Sequence, residues 1–134
     1  MASSTVENYL KEILVVTIED EITKVSMGQV ARVLDVTPGT ATAMAKNLER
    51  DGWVTYYPRV GVSLTRKGRK LAMSMLRRHR LLETFLVETL GLDWEEIHAE
   101  AEELEHATAE KVLEKLDEFF GRPRFDPHGD PIPS

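Results

Sequence analysis

The sequence predicts a mainly α protein in two parts, an N-terminal winged helix–turn–helix over residues 1–70 and a helical domain over residues 71–134. Three observations carry this reading. Two short amphipathic stretches, opening at Ser26 and at Thr37-Pro38, have helix–turn–helix spacing. Two β-rich runs, Trp53–Tyr57 and Val60–Leu64, follow directly and are joined through Pro58-Arg59, as a wing would be. From Thr65 to Gly121 apolar residues recur at helical spacing.

Taken in order, Ser4 with Glu7 reads as a capping box ahead of a first helix, in which Val6, Leu10, Ile13 and Leu14 repeat to about Thr17. Ser26 and Gln29 form a second box before a short helix ending near Asp35. Thr37 places an N-cap before a proline at the first helical position, and Ala41, Met44, Ala45 and Leu48 mark the buried face of a helix that stops at Asp51-Gly52. After the wing, Thr65 caps a long helix carrying Leu71, Met75, Leu82, Phe85 and Leu86, ended by Gly91. Asp93 is expected to start the next helix and Thr108 to cap the last, whose stripe of Ala109, Val112, Leu113, Leu116 and Phe120 suits a dimer interface. Residues 121–134 hold four of the six prolines and read as an extended, loosely packed tail.

Composition narrows the chemistry. With 134 residues and 42% hydrophobic content the chain can bury an ordinary core. It has no stretch near the roughly 20 apolar residues of a membrane helix and no secretory pattern, so a cytoplasmic protein with no membrane partner is expected. Zero cysteines exclude disulfides and thiolate metal sites, leaving nitrogen and oxygen as strong ligands. The net charge of −6 is unevenly spread: residues 1–80 hold 13 Lys/Arg against 8 Asp/Glu, residues 81–134 hold 4 against 15. A basic lobe suits phosphates and an acidic one suits cations, although solvated helix faces produce similar runs.

The residues that carry chemistry fall in both parts. His79/Glu83 and His98/Glu102 are i,i+4 pairs, and Glu105 and His106 follow within a turn, so each helix turns its ligands to one side. Converging carboxylates without a cation would repel one another and rise in pKa, which a divalent ion would relieve. A lone histidine on an apolar stripe is ordinarily a core residue, but three of the four histidines share this spacing; His128 lies apart in the tail. In the helix–turn–helix, Thr37, Pro38, Thr40, Ala41 and Thr42, with Ala43 or Met44 further on, would face base edges through small apolar or hydroxyl groups. Lys46, Arg50 and the wing-tip Arg59 would meet phosphates. A winged helix can also serve as a protein-binding module.

In ENYLKEI (7–13), VTPGTATAMAKNLERDGWV (36–54), RRHRLLETFL (77–86), GLDWEEIHAEAEELEH (91–106) and DPHGDPIP (126–133), the chain resembles the DtxR/MntR family of metal-dependent repressors over nearly its whole length. The resemblance implies one metal position at His79, Glu83 and His98, and a primary one at Glu102, Glu105 and His106, with Asn8 where a helix-one ligand is expected. It also implies a helical metal-binding and dimerisation domain and the short form lacking the SH3-like domain of longer members. Two departures stand out. Manganese-type members have acidic residues where this chain has Asn8 and Lys11, and iron-type members have a sulfur ligand at the place of Glu102. Glu12, one turn beyond Asn8, offers an alternative carboxylate, and an inward Lys11 would pair with Glu102 or Glu105 when metal is absent.

The expected function is a metal-activated, homodimeric repressor on a palindromic double-stranded DNA operator, controlling metal-ion uptake genes. Mn(II) is favoured by oxygen-rich, sulfur-free ligation; Fe(II) is the alternative, and Zn(II), Co(II) or Ni(II) would substitute in vitro. A winged-helix regulator with a non-metal effector is the other alternative. An enzyme is not expected: Glu103-x-x-His106 is half of a di-iron motif that needs two, and neither HExxH nor a nucleophile elbow is present.

Overall fold

The computed structural model describes residues 3–134, and the helices follow from their caps and apolar periods. They run α1 (Ser4–Glu19), α2 (Met27–Leu34), α3 (Pro38–Arg50), then strands β1 (Val54–Tyr57) and β2 (Gly61–Leu64), then α4 (Arg66–Glu88), α5 (Ile97–Glu105) and α6 (Glu110–Phe119). Two compact units, Met1–Met73 and Ser74–Ser134, divide inside α4.

In the first unit α1 is capped by Ser3 and not by Ser4. The Ser3 hydroxyl accepts from the Val6 amide at 3.2 Å, and its carbonyl takes the first helical bond from Glu7 at 3.0 Å, so Ser4 is already helical. Leu10, Ile13 and Leu14 are fully buried, as is Tyr9, whose hydroxyl donates to the Ala41 carbonyl at 3.2 Å. That bond satisfies a phenol which burial also holds in its neutral form. The capping box at Ser26 and Gln29 is formed, and α2 ends on Asp35 in the left-handed region. Thr37 caps α3 with Pro38 behind it. α2 packs on α1 and α3, α3 on β1, and α1 on β2.

The wing is an antiparallel pair in register from Val54↔Leu64 to Tyr57↔Gly61. Between the strands, Arg59 takes φ 67 behind Pro58, with the Val60 amide donating to the Tyr57 carbonyl at 3.0 Å. A bridge not anticipated from sequence widens this sheet: Val25 exchanges two backbone bonds with Val62, at 2.8 and 2.9 Å. Gly61 permits it, because a Cβ there would lie 2.1 Å from the Val25 carbonyl oxygen. Thr65 caps α4 as expected, accepting from the Gly68 amide at 3.0 Å, and its hydroxyl reaches the Gly52 carbonyl at 2.7 Å.

In the second unit Leu82 and Leu86 of α4, Ile97 and Ala101 of α5 and Leu113 of α6 form the core, with Phe85, Val87 and Leu116 against it. The stripe on α6 read as a dimer face is therefore divided, since Leu113 lies in the unit's own core and Leu116 against it while Val112 remains exposed; Phe119, outside that stripe, is exposed as well. Arg77 ties α4 to α6 through Glu114 at 2.9 Å and Asp117 at 3.2 Å.

Three local expectations for this unit are corrected. Asp93 closes a turn instead of opening a helix, its carboxylate accepting from the Glu95 amide at 3.2 Å, and α5 starts only at Ile97. Thr108 turns its hydroxyl back to the Leu104 carbonyl at 2.7 Å, and Ala109 precedes α6 without a side-chain cap. The tail, though largely exposed, is anchored at points: Asp126 is buried, Phe125 pairs with Pro131, and the Arg80 guanidinium donates to the Pro131 carbonyl. Among the described residues no helix is long and apolar enough to cross a membrane.

A Cβ on Gly68 would lie 1.9 Å from the Trp53 carbonyl oxygen, whereas one on Gly39, in the first turn of α3, meets nothing within 4 Å. Alanine gains about 1 kcal/mol over glycine in a helix, but overpacking against backbone costs ~1–3 kcal/mol or more. Urea unfolding of the two variants should diverge, Gly39→Ala matching or exceeding the parent and Gly68→Ala falling below it. A Gly68→Ala protein as stable as the parent would contradict this packing.

Candidate metal centre

The ligand-bearing side chains of α4 and α5 meet because both helices bury their apolar faces in the same core. His79 and Glu83, one turn apart on α4, are both buried, with His79 Nε2 3.4 Å from Glu83 Oε2. The other ring nitrogen, Nδ1, lies 3.2 Å from Oε2 of Glu105, which is wholly buried. From the more exposed side His98 sets its ring edge-on to His79, centroids 4.7 Å apart, and places Nε2 3.2 Å from Glu102 Oε1. One donor atom each from His79, Glu83 and His98 lies within 4.8 Å of the others.

The tail brings two donors that sequence reasoning set aside. His128 places Nδ1 3.3 Å from Glu83 Oε2 and Nε2 2.8 Å from the Trp94 carbonyl. Asp126 is locked by its own turn, Oδ1 accepting from the amides of His128 and Asp130, both at 2.9 Å. Glu83, Asp126 and His128 form a second group whose donor atoms share a 4.8 Å neighbourhood, so Glu83 belongs to both. Their spacing relative to Glu83 in the chain gave no helical period to read; only the motif DPHGDPIP marked the segment.

Protonation decides what this arrangement can do. A carbonyl only accepts, so His128 Nε2 must carry hydrogen against Trp94, and a neutral ring would then turn its Nδ1 lone pair toward a carboxylate oxygen. His79 likewise faces carboxylate oxygens with both nitrogens. Burial alone would raise Glu83, but hydrogen bonds from His79 and Asp126 and the charges of His79 and His128 lower it to about 2. Burial first, and the hydrogen bond to Glu83 second, raise Asp126 to about 6. Asp126 Oδ2 has no donor among the described residues; a bond between it and Glu83 needs a proton on one of the two carboxyls. A divalent cation would replace that proton and meet the lone pairs, so this all-nitrogen-and-oxygen donor set fits such an ion.

The remaining expected residues are placed as follows. Glu102 lies against His98, while Glu105 reaches His79 and, with Oε1, His106 Nε2 at 3.7 Å. Asn8 on α1 has a buried Oδ1 with no hydrogen-bond partner among the described residues, an orphaned oxygen suited to a cation. Lys11 is buried. On α3, Thr37, Pro38, Thr40, Lys46 and Arg50 are exposed and Thr42 half-buried, with Arg59 exposed on the wing. The Thr37 hydroxyl donates to Thr40 Oγ1 at 2.9 Å, and Arg50 is held by Asn47 at 2.8 Å. Ala41 is fully buried under Tyr9 and cannot present itself to a base, contrary to its place in the expected reading surface.

Two sequence profiles match the chain, "Iron dependent repressor, N-terminal DNA binding domain" over residues 1–62 and "Iron dependent repressor, metal binding and dimerisation domain" over residues 65–134. The chain belongs to the iron-dependent (DtxR/MntR) repressor family. It is 38% identical over 129 residues to the iron-dependent repressor IdeR of Mycobacterium tuberculosis, covering 96% of this chain and 55% of that one. The chain thus spans about half the length of such repressors. An HTH-type transcriptional regulator of Methanocaldococcus jannaschii, 38% identical over 118 residues, is covered to 94%. Among solved structures, a manganese-dependent transcriptional repressor in complex with manganese superposes with TM-score 0.84 at 43% identity, over 96% of this chain and 58% of that one. The manganese regulator SloR gives 0.82 at 40%, over 96% and 59%. Iron and manganese regulators both stand among the family's members, and these relatives are regulators, not enzymes.

The two carboxyls make opposite contributions to stability against pH. Asp126, raised from 3.8 to about 6, stabilises the fold below pH 4 and loses that contribution as pH rises through 6. Glu83, lowered from 4.5 to about 2, stabilises above pH 4.5 and loses its contribution as pH falls toward 2. Unfolding of the chelated protein at a series of pH values should show a decline between pH 4 and 6 that Asp126→Asn removes while leaving the acid limb. An identical decline in Asp126→Asn would assign it elsewhere.

Proposed function

We propose that this chain is a metal-activated, DNA-binding repressor that acts in the cytoplasm as a homodimer on a palindromic operator, with Mn(II) as activating ion and metal-uptake genes as targets. The observation that carries the reading is the meeting of buried imidazole and carboxylate donors around Glu83, where both histidine partners face an acceptor. His79, Glu83 and His98 would hold one ion, with Asp126 and His128 as further donors at Glu83. Glu102, Glu105 and His106 would hold another. A bound ion supplies the positive charge that lets these carboxylates stay ionised and close together. The oxygen-rich set without sulfur and the likeness to a manganese-bound repressor favour Mn(II). The iron-dependent repressors at 38% identity favour Fe(II) as the second reading.

The DNA side of the proposal rests on α3 and the wing. Thr37, Pro38, Thr40 and Thr42 would touch thymine methyls and groove edges, and with no arginine or amide fork at the helix start, specificity would lean on DNA shape. Lys46, Arg50 and Arg59 would neutralise phosphates. In a dimer, two α3 helices must match half-sites about 34 Å apart, so ordering of the ligands need shift them little to match or spoil an operator.

Fluorescence anisotropy on the chain's own upstream DNA tests the switch. Mn(II) at buffered free concentration should tighten binding about 5- to 150-fold over chelator, a coupling of ~1–3 kcal/mol. Combining His79→Ala with His106→Ala should abolish that gain. Equal binding with and without metal, on a fragment bound tightly in either case, would point to a non-metal effector, and a ranking of Fe(II) above Mn(II) would select the second reading.

A separate experiment isolates the phosphate contacts. Alanine at Lys46, Arg50 or Arg59 should each reduce the slope of log K against log salt by ~0.9 while leaving Mn(II) affinity unchanged. An unchanged slope for all three would remove α3 and the wing from the interface.

A further inference from the structure

Arg78 stands immediately before His79 on α4, its side chain only 17% exposed. It holds backbone as well as a carboxylate. Nη1 donates to the Glu105 carbonyl at 3.2 Å and to the Thr108 carbonyl at 2.6 Å, while Nη2 donates to Glu110 Oε2 at 2.7 Å. The Glu105 carbonyl is at the C-terminal end of α5, where a helix leaves its last C=O groups without internal donors and its dipole favours a cation, and that of Thr108 belongs to the connection into α6. The neighbouring Leu104 carbonyl is satisfied locally, by the amides of Ala107 and Thr108 and by the Thr108 hydroxyl. The Glu105 and Thr108 carbonyls instead accept from the guanidinium of another helix.

We infer that Arg78 is a positioning residue for the ligand set on α5, fixing Glu105 and His106 by gripping the main chain that carries them. Consecutive residues of α4 then divide the work: Arg78 sets where the end of α5 lies, and His79, 3.2 Å from Glu105 Oε2, sets which way its buried carboxylate turns. A planar fork reaches two carbonyls and a carboxylate from two separate nitrogens held in fixed geometry, whereas an ammonium offers its three donors from a single point. Arg77, one residue earlier, carries the same charge but among the described residues goes to Glu110, Glu114 and Asp117 and not to these carbonyls. It ties down α6. The inference rests on the reading of Glu105 and His106 as metal donors.

The test uses the full chain carrying His98→Ala and His128→Ala, which removes a donor from each group around Glu83 so that the Glu105 and His106 set is read, with Mn(II) affinity by equilibrium dialysis and the visible d–d spectrum of Co(II) as the ligand-field signature. Arg78→Met should weaken Mn(II) about tenfold or more and alter the Co(II) spectrum, with Arg78→Lys also impaired, as when a group that orients a metal ligand is lost. Arg77→Met removes the same charge and should leave affinity within about twofold and the spectrum unchanged. If Arg78→Met does not fold, Arg78→Lys decides. Parent-like affinity in the Arg78 variants, or an equal loss in Arg77→Met, overturns the positioning role alone. If His106→Ala in the same background leaves Mn(II) binding intact, the ligand assignment falls and the positioning role with it.

Discussion

Two carboxylates, Glu83 and Glu105, lie within 2% of complete burial in the second unit, and each must be neutralised where it stands. An unpaired buried charge costs several kcal/mol, so the surrounding residues are constrained by this need more than by packing. His79 lies between the two, His128 and Asp126 approach Glu83 from the tail, and His106 approaches Glu105. Glu83 and Asp126 stand close enough to share a proton, and a cation held there as proposed would replace it, so that ion binding would be coupled to proton release.

What was legible in the sequence was local. The capping box at Ser26, the Thr37-Pro38 start of α3, the Thr65 cap and the two wing strands are each written within a few residues, and each is present. The errors arose where a polar residue had two local partners to choose from. Ser3 took the cap from Ser4, Asp93 closed a turn, and the Thr108 hydroxyl bonded backward to α5 and not forward to α6. The i,i+4 pairs His79/Glu83 and His98/Glu102 could be read from spacing and form as written. Asp126 and His128 could not, because more than forty residues separate them from Glu83 and only tertiary packing of the proline-rich tail closes that gap. Val25 escaped for the same reason: a one-residue bridge has no period.

The α6 stripe shows a different limit. Its spacing established an apolar face, yet spacing cannot say whether that face is used within the chain or between chains. Leu113 is wholly buried in the unit's own core and Phe119 is 74% exposed, so one helix serves the interior and leaves apolar surface to spare. A core this small, with five fully placed apolar side chains, gives each of them weight: burying a leucine contributes roughly 1.5–3 kcal/mol.

The shortness of α5 has a consequence for the order of assembly. Nine residues without an N-terminal side-chain cap are too few for a helix to persist in water, where about 12–15 are marginal. α5 therefore exists only once Ile97 and Ala101 are docked on Leu82 and Leu86. α4, with 23 residues, can present His79 and Glu83 while the chain is still collapsing, but His98, Glu105 and His106 arrive in place only with the finished core. On the proposed ligand set, a half-folded chain would offer an ion two donors and a finished one many, so that occupancy would double as a record that folding has ended.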